Sequence, residues 1–220
     1  TCRKPMPANM TNSLVGALIE QVEHSCKYSD QGCEVEMMLK DLVAHEKQCL
    51  EKNIKCPYLS FCNQYVKLKS FDNHAFEGNR HSTVLRGNSF WFYILDEDVI
   101  GNKDWRKGLK AFDELFHVNL AYHKPSKCYV FSIWLAKSQI VASEYKAEFM
   151  IEGDDNKLLF DGIEVISVEN VQSIDHTLED NESISVLSLP RNLAKKMSVK
   201  DNIESRILES LKVTVIVKKI

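Results

Sequence analysis

The stretch that decides the fold begins Cys26-Lys27-Tyr28-Ser29-Asp30-Gln31-Gly32-Cys33 and resumes at Asp41-Leu42-Val43-Ala44-His45-Glu46-Lys47-Gln48-Cys49. Written as spacing it is C-x6-C-x11-H-x3-C. The second part has the look of a helix with Asp41 as its N-cap. His45 and Cys49 are then i and i+4, one turn apart on one face. Both can reach one tetrahedral Zn²⁺, with Cys26 and Cys33 supplied by a loop or short hairpin across Gly32. Four protein ligands of the Cys3His type close the coordination sphere, so such a zinc is structural and leaves no position for catalysis.

Working outward, a second set follows: Cys56, Cys62, His74 and His81, spaced C-x5-C-x11-H-x6-H. The eleven-residue gap repeats, so this reads as a second copy of the module. On a continuous helix His74 and His81 would stand about 10 Å apart along the axis, too far to share one ion. The helix must therefore end between them, and Gly78-Asn79 is a suitable place. Glu77, at i+3 from His74, is the competing fourth ligand. The expectation is two structural zinc ions.

Six of the seven cysteines lie within the first 62 residues, and Cys128 stands apart. An odd count interleaved with His fits metal ligation in a reducing compartment better than a disulfide framework. Upstream, residues 13–23 show helical periodicity through Leu14, Val15, Leu18, Ile19 and Val22, behind the capping cluster Thr11-Asn12-Ser13. This predicts a connector helix. The segment 26–82 has only short apolar runs and is too small to hold itself together by burial alone, which is itself a reason to expect a metal.

From Thr83 onward the period changes to two. Residues 90–94 are compact and aromatic. In Phe116, Val118, Leu120 and Tyr122 every second residue is apolar; Tyr129, Phe131, Ile133 and Leu135 repeat this, as do Ala147, Phe149 and Ile151. Residues 158–166, 184–189 and 213–217 continue the pattern. Turn signals separate them at His123-Lys124-Pro125-Ser126, Gly153-Asp154-Asp155-Asn156 and Pro190-Arg191-Asn192. This is the pattern of an antiparallel β-sandwich, with residues 201–211 read as helix or irregular structure. The domain organisation expected is residues 1–25 as remnant and linker, 26–82 as tandem zinc fingers, and 83–220 as the β domain.

Composition excludes several classes. The chain has 220 residues, a net charge of −3 and 44% hydrophobic residues. No basic surplus supports a nucleic-acid partner, and no apolar run is long enough for a membrane span. The first residues do not begin with Met and lack the apolar segment of a signal peptide, so the sequence reads as a piece of a longer cytoplasmic or nuclear protein. No G-x-S-x-G, H-E-x-x-H or P-loop pattern occurs, and no catalytic residue is assigned. His117, His123 and His176 read as strand-surface or turn residues. Asp154-Asp155 and Glu179-Asp180 read as solvated turns. Trp91, Trp105 and Trp134 read as core or groove residues.

The order of a cysteine-ending tail, a C-x6-C-x11-H-x3-C module, a second module and a β-rich C-terminal half resembles the seven in absentia (Sina/Siah) family of RING-type E3 ubiquitin ligases. Its most specific part is 26–49, with the six-residue gap on to Cys56. By that resemblance Cys2 is the last zinc ligand of a RING finger of which nearly all is missing. The resemblance implies a TRAF-like antiparallel β-sandwich, a homodimer, a ubiquitin-conjugating enzyme recruited through the RING, and a groove for extended degron peptides of substrate or adaptor proteins. The implied groove residues are Thr83, Leu85, Trp105, Lys107 and Lys212. Lys107 and Lys212 stand where Met and Asn are expected in close family members, which implies a more acidic peptide than the usual Val-x-Pro type. The x6 spacing of His74 and His81 is longer than the family's. A zinc-finger and TRAF-domain adaptor without ligase activity is the other reading of the same features.

Overall fold

The computed structural model describes residues 16, 18–58, 62–77, 83–85, 87–94, 104–153, 156–171, 186–203 and 206–220. It divides into two compact units, residues 1–52 and 53–220. Among the described residues no helix is long and apolar enough to cross a membrane.

In the first unit, strand β1 (Glu23–Ser25) pairs antiparallel with β2 (Glu36–Met38). Helix α1 (Leu39–Gln48) follows directly. The core is minimal: Leu42 with Cys26, Cys33 and Cys49, flanked by Tyr28, Val35 and Met37. Helix α1 begins three residues earlier than the capping argument places it. Asp41 therefore lies in the first turn, where its carboxylate opposes the positive end of the helix dipole rather than capping it. Of the expected connector helix, Gly16, Leu18 and Ile19 are helical, but the chain turns before Val22 and enters β1. Leu18, Ile19 and Val22 are exposed, while Leu14 and Val15 lie outside the described residues.

The second unit starts with the same local order. Strand β3 (Asn53–Lys55) pairs with β4 (Tyr65–Lys67), and a 3-10 turn leads into α2 (Phe71–Phe76). In both modules the first cysteine follows its strand immediately and its amide bonds back across the hairpin. Cys26 N–H donates to Val35 O (3.0 Å), and Cys56 N–H donates to Gln64 O (2.9 Å).

Two sheets then share one core. The first sheet runs β11 (Lys157–Glu164), β10 (Tyr145–Glu152), β15 (Arg206–Lys219), β14 (Val199–Ile203), with β6 (Ser89–Ile94) also on β15. The second runs β12 (Ile166–Ser167), β9 (Cys128–Leu135), β8 (Glu114–His123), β7 (Asp104–Ala111), β5 (Thr83–Val84), with β13 (Leu187–Pro190) also on β9. Most pairings are antiparallel, but β5–β7 and β12–β9 are parallel. Phe116, Val118, Leu120, Phe131 and Ile133 of the second sheet meet Phe149, Val213, Val215 and Val217 of the first in one cluster. All nine are buried, as strict alternation with one face inward requires.

Two local expectations fail. Of residues 201–211, those described, 201–203 and 206–211, belong to the paired strands β14 and β15, not to a helix or an irregular segment. Their own pattern is weak, and pairing with neighbouring strands decides them. Pro190-Arg191-Asn192 is not a simple turn. Pro190 precedes helix α4 (Arg191–Met197), where the missing amide costs nothing. Helix α3 (Gln139–Ala142) is capped by Ser138, whose side chain accepts from Val141 N–H.

The other face of the second sheet is covered as well. Ala121, Trp134, Ala136, Ile166, Val168 and Val171 form a second cluster with Ile54, Tyr58, Leu68, Phe71 and Ala75 of the β3–β4–α2 module. The module and the sheet thus share a core. Phe131→Ala is expected to cost about 3–5 kcal/mol through the cavity left in the main core. Phe71→Ala should also lower the stability of the β domain, while Leu159→Ala, at a site 60% exposed, should be within about 0.5 kcal/mol of the parent. Urea unfolding of the three variants checks this.

Candidate metal centres and the sheet edge

The hairpin of the first module delivers Cys26 and Cys33, and α1 delivers His45 and Cys49. Between the cysteines a 3-10 turn (Ser29–Gln31) closes on Gly32, whose φ of 98° is left-handed. A β-carbon is disfavoured in that conformation, and the reversal brings Cys33 back towards Cys26. Lys27 N–H donates to Glu46 Oε1 (3.0 Å), and the Lys27 ammonium lies 3.4 Å from Glu46. These contacts tie the loop to the helix. The Lys27 amide holds the Glu46 carboxyl below its ordinary range.

The four ligand atoms lie within 4.8 Å of one another. Cys26 Sγ and Cys49 Sγ are 4.0 Å apart, and Cys33 Sγ and His45 Nε2 are 3.4 Å apart. A tetrahedral zinc with Zn–S about 2.3 Å and Zn–N about 2.0 Å requires about 3.8 Å between sulfurs and about 3.5 Å between sulfur and nitrogen. The donor set and its spacing fit the ion.

In the second module Cys56, Cys62 and His74 form the corresponding group, with Cys62 Sγ 3.5 Å from His74 Nε2. The helix stops at Phe76, and Glu77 is already extended (ψ 122°). Glu77 does not join the ligand group. His81, like Cys2 and His176, lies outside the described residues.

Burial pushes the Cys49 thiol up to about 11 and the Cys56 thiol up to about 12. For Cys56, the Tyr58 amide and the Arg106 guanidinium pull the other way. Thiols so far above neutrality stay protonated unless a cation displaces their protons, which is what zinc does on binding. Cys128, with its Sγ turned to Ser126 O, belongs to neither group.

Sequence reasoning missed the junction between the second module and the sheet. His117 is not a surface residue: it is fully buried on the outer side of β8. Its Nδ1 lies 3.2 Å from Tyr58 Oη and its Nε2 lies 2.7 Å from Asp72 Oδ1. The rings of Phe71 and Phe76 stand 4.9 and 4.8 Å from it. Arg106 of β7 lies over the Tyr58 ring at 4.2 Å, a cation–π contact. The signal was available: His117, Asn119 and Ala121, which alternate with the core residues of β8, carry no acid, lysine or arginine, unlike a solvated face.

The residues implied for a peptide groove are placed as follows. β5 is the terminal strand of its sheet path and pairs with β7 in the register Thr83–Lys107 and Val84–Gly108. Lys107 Nζ donates to Thr83 Oγ1 (3.1 Å). Leu85 and Trp105 are partly buried against the main core, and Trp105 meets Phe92 and Tyr129. Lys212 belongs to the other sheet, where its ammonium lies 2.8 Å from Glu152 and holds that carboxyl below its ordinary range. Trp134 is buried, whereas Trp91 is about half exposed and is no core residue.

Two Cys/His clusters, each on a hairpin–helix module, followed by a β domain, define a tandem zinc-finger protein with two zinc ions. Residues 17–92 match the family model described as Sina, zinc finger. The E3 ubiquitin-protein ligase siah-1 of Caenorhabditis briggsae is 25% identical over 150 residues, which are 67% of this chain and 34% of that protein. The chain thus spans about a third of that relative's length. Both findings are likenesses to Sina/Siah proteins, the first to the zinc-finger region alone and the second to a siah-1 ligase.

Elemental analysis of the folded chain should give two zinc ions. Cys33→Ser should lose one of them and Cys128→Ser neither. If His81 completes the second site, His81→Ala should weaken that site alone, and Glu77→Ala should leave both; competition with a chromogenic chelator reads the difference.

Proposed function

We propose that this chain is the substrate-recognition region of a RING-type E3 ubiquitin ligase. In this reading the β domain is a TRAF-like sandwich that binds degron peptides of substrate or adaptor proteins and brings its targets to ubiquitination and proteasomal degradation. The observation that carries the reading is the Sina zinc-finger match over 17–92. The name of the siah-1 relative adds the ligase class. The zinc ions are structural, with His81 as the fourth ligand of the second. The chain's contribution to transfer is positional: it holds the substrate while a ubiquitin-conjugating enzyme, bound through a RING ending at Cys2, delivers ubiquitin. That is a proximity effect. Dimerisation through the β domain would present two such sites.

The peptide would add as a strand along β5, at the end of the sheet path, and pairing along a sheet edge recognises an extended chain through its backbone. Leu85 and Trp105 would supply the apolar pocket. Lys107 would supply a preference for acidic peptides, since Lys212 is matched by Glu152 on the other sheet.

Calorimetric titration of extended degron-like peptides, with and without added Asp or Glu, is expected to show binding that Leu85→Arg weakens at least about tenfold. Binding unchanged in both Leu85→Arg and Trp105→Ala would place the site elsewhere. Light scattering should give about twice the 25.3 kDa chain mass.

A further inference from the structure

The second module differs from the first in what it is built into. The first cluster has a core of its own, with Leu42. The second shares its core with the outer face of the six-stranded sheet. Helix α2 is six residues long, too short to persist by its own hydrogen bonds. His74 as a metal ligand and the packing of Phe71 and Ala75 are what hold it.

From α2 a continuous line of contacts leads to the sheet edge. Asp72 and Phe71 grip His117 of β8. Phe76, two residues after His74, rests on the backbone of β7 at Gly108. A β-carbon there would stand 2.6 Å from the Phe76 ring, so the approach requires glycine. The carbonyl of the same Gly108 accepts from Leu85 N–H at 2.7 Å, the bond that closes β5 onto β7. Seven positions along the chain separate Phe76 from Thr83, so β5 is also the next strand after this module among the described residues.

We propose that the metal held by Cys56, Cys62 and His74 controls the sheet edge: its occupancy fixes β5 on β7 through α2, Phe76 and Gly108, whereas the metal of the first cluster does not. Loss of that zinc by chelation frees α2. Phe76 then leaves Gly108, and the short two-residue strand loses its support. A chain with one zinc, at the first cluster, is folded in its first module and open at the edge. This rests on the reading of β5 as the peptide-binding edge for its biological meaning, but not for its physical content.

Hydrogen–deuterium exchange of the full zinc-loaded chain, followed at the Leu85 amide without any peptide, tests it. In Cys62→Ser, with one zinc, exchange at Leu85 should rise by about tenfold or more. In Cys33→Ser, also with one zinc, it should stay at the parent rate. Phe76→Ala keeps every ligand and both metals and should also raise exchange at Leu85, because it cuts the link through Gly108; if Cys62→Ser does not fold, the parent chain partly stripped of zinc by a chelator takes its place. A protected Leu85 in Phe76→Ala, or equal acceleration in Cys33→Ser and Cys62→Ser, overturns the proposal. A chain that shows the expected pattern but binds no peptide would sink the functional reading and leave this one standing.

Discussion

Neither hairpin–helix module buries enough apolar surface to offset the entropy of ordering its chain. In the first, the buried cluster is Leu42 and three cysteines. The module's interior is therefore its metal site, and coordination is the constraint on which everything else in it rests. Four side chains from a loop and a helix must meet at one point. The left-handed Gly32, the amide bond of Cys26 across the hairpin and the Lys27–Glu46 tie all serve that convergence. The buried thiols make the requirement strict, since pKa values near 11 and 12 leave them neutral and weakly bonding without a cation.

The same local design is put to two uses. The first module closes on itself. The second spreads Tyr58, Leu68, Phe71 and Ala75 over Trp134, Ala121 and Ile166, and so covers a sheet face that would otherwise be wet. That cover admits polar groups at a depth where each must be matched. His117 is matched twice, by Tyr58 and Asp72, and Arg106 spreads its charge over the Tyr58 ring. Such a junction is directional in a way that apolar packing alone is not, and it fixes the orientation of module and sheet within this unit.

The two faces of the six-stranded sheet thus have different chemistry. One faces the other sheet through an aromatic and aliphatic core. The other faces a zinc module through rings, an imidazole and a guanidinium. Strand β7 takes part in both: Leu109 points into the core, while Arg106 and Gly108 meet the module. Its outer neighbour β5, with two residues in the strand, depends on what happens on either side of β7.

What the amino-acid sequence determined by itself is what depends on neighbours along the chain. Cys26, Cys33, His45 and Cys49 were legible because zinc imposes a local geometry that spacing on a loop and one helical turn either meets or does not. The nine inward residues of the β domain were legible because a pleated strand with one buried face alternates with period two. The Sina-type zinc-finger character was legible from the same spacing. What only the tertiary structure decided is what depends on residues far away in sequence. Residues 201–203 and 206–211 carry little pattern of their own and became strands by pairing within the first sheet. His117 was read as a surface residue because alternation marks the side that faces away from the core. It cannot say that a module ending forty residues earlier returns to cover that side. Lys212 was read as a cation for a partner, and Glu152, sixty residues before it, already neutralises it. Burial and charge pairing are properties of the folded neighbourhood, and the chain's linear order does not contain them.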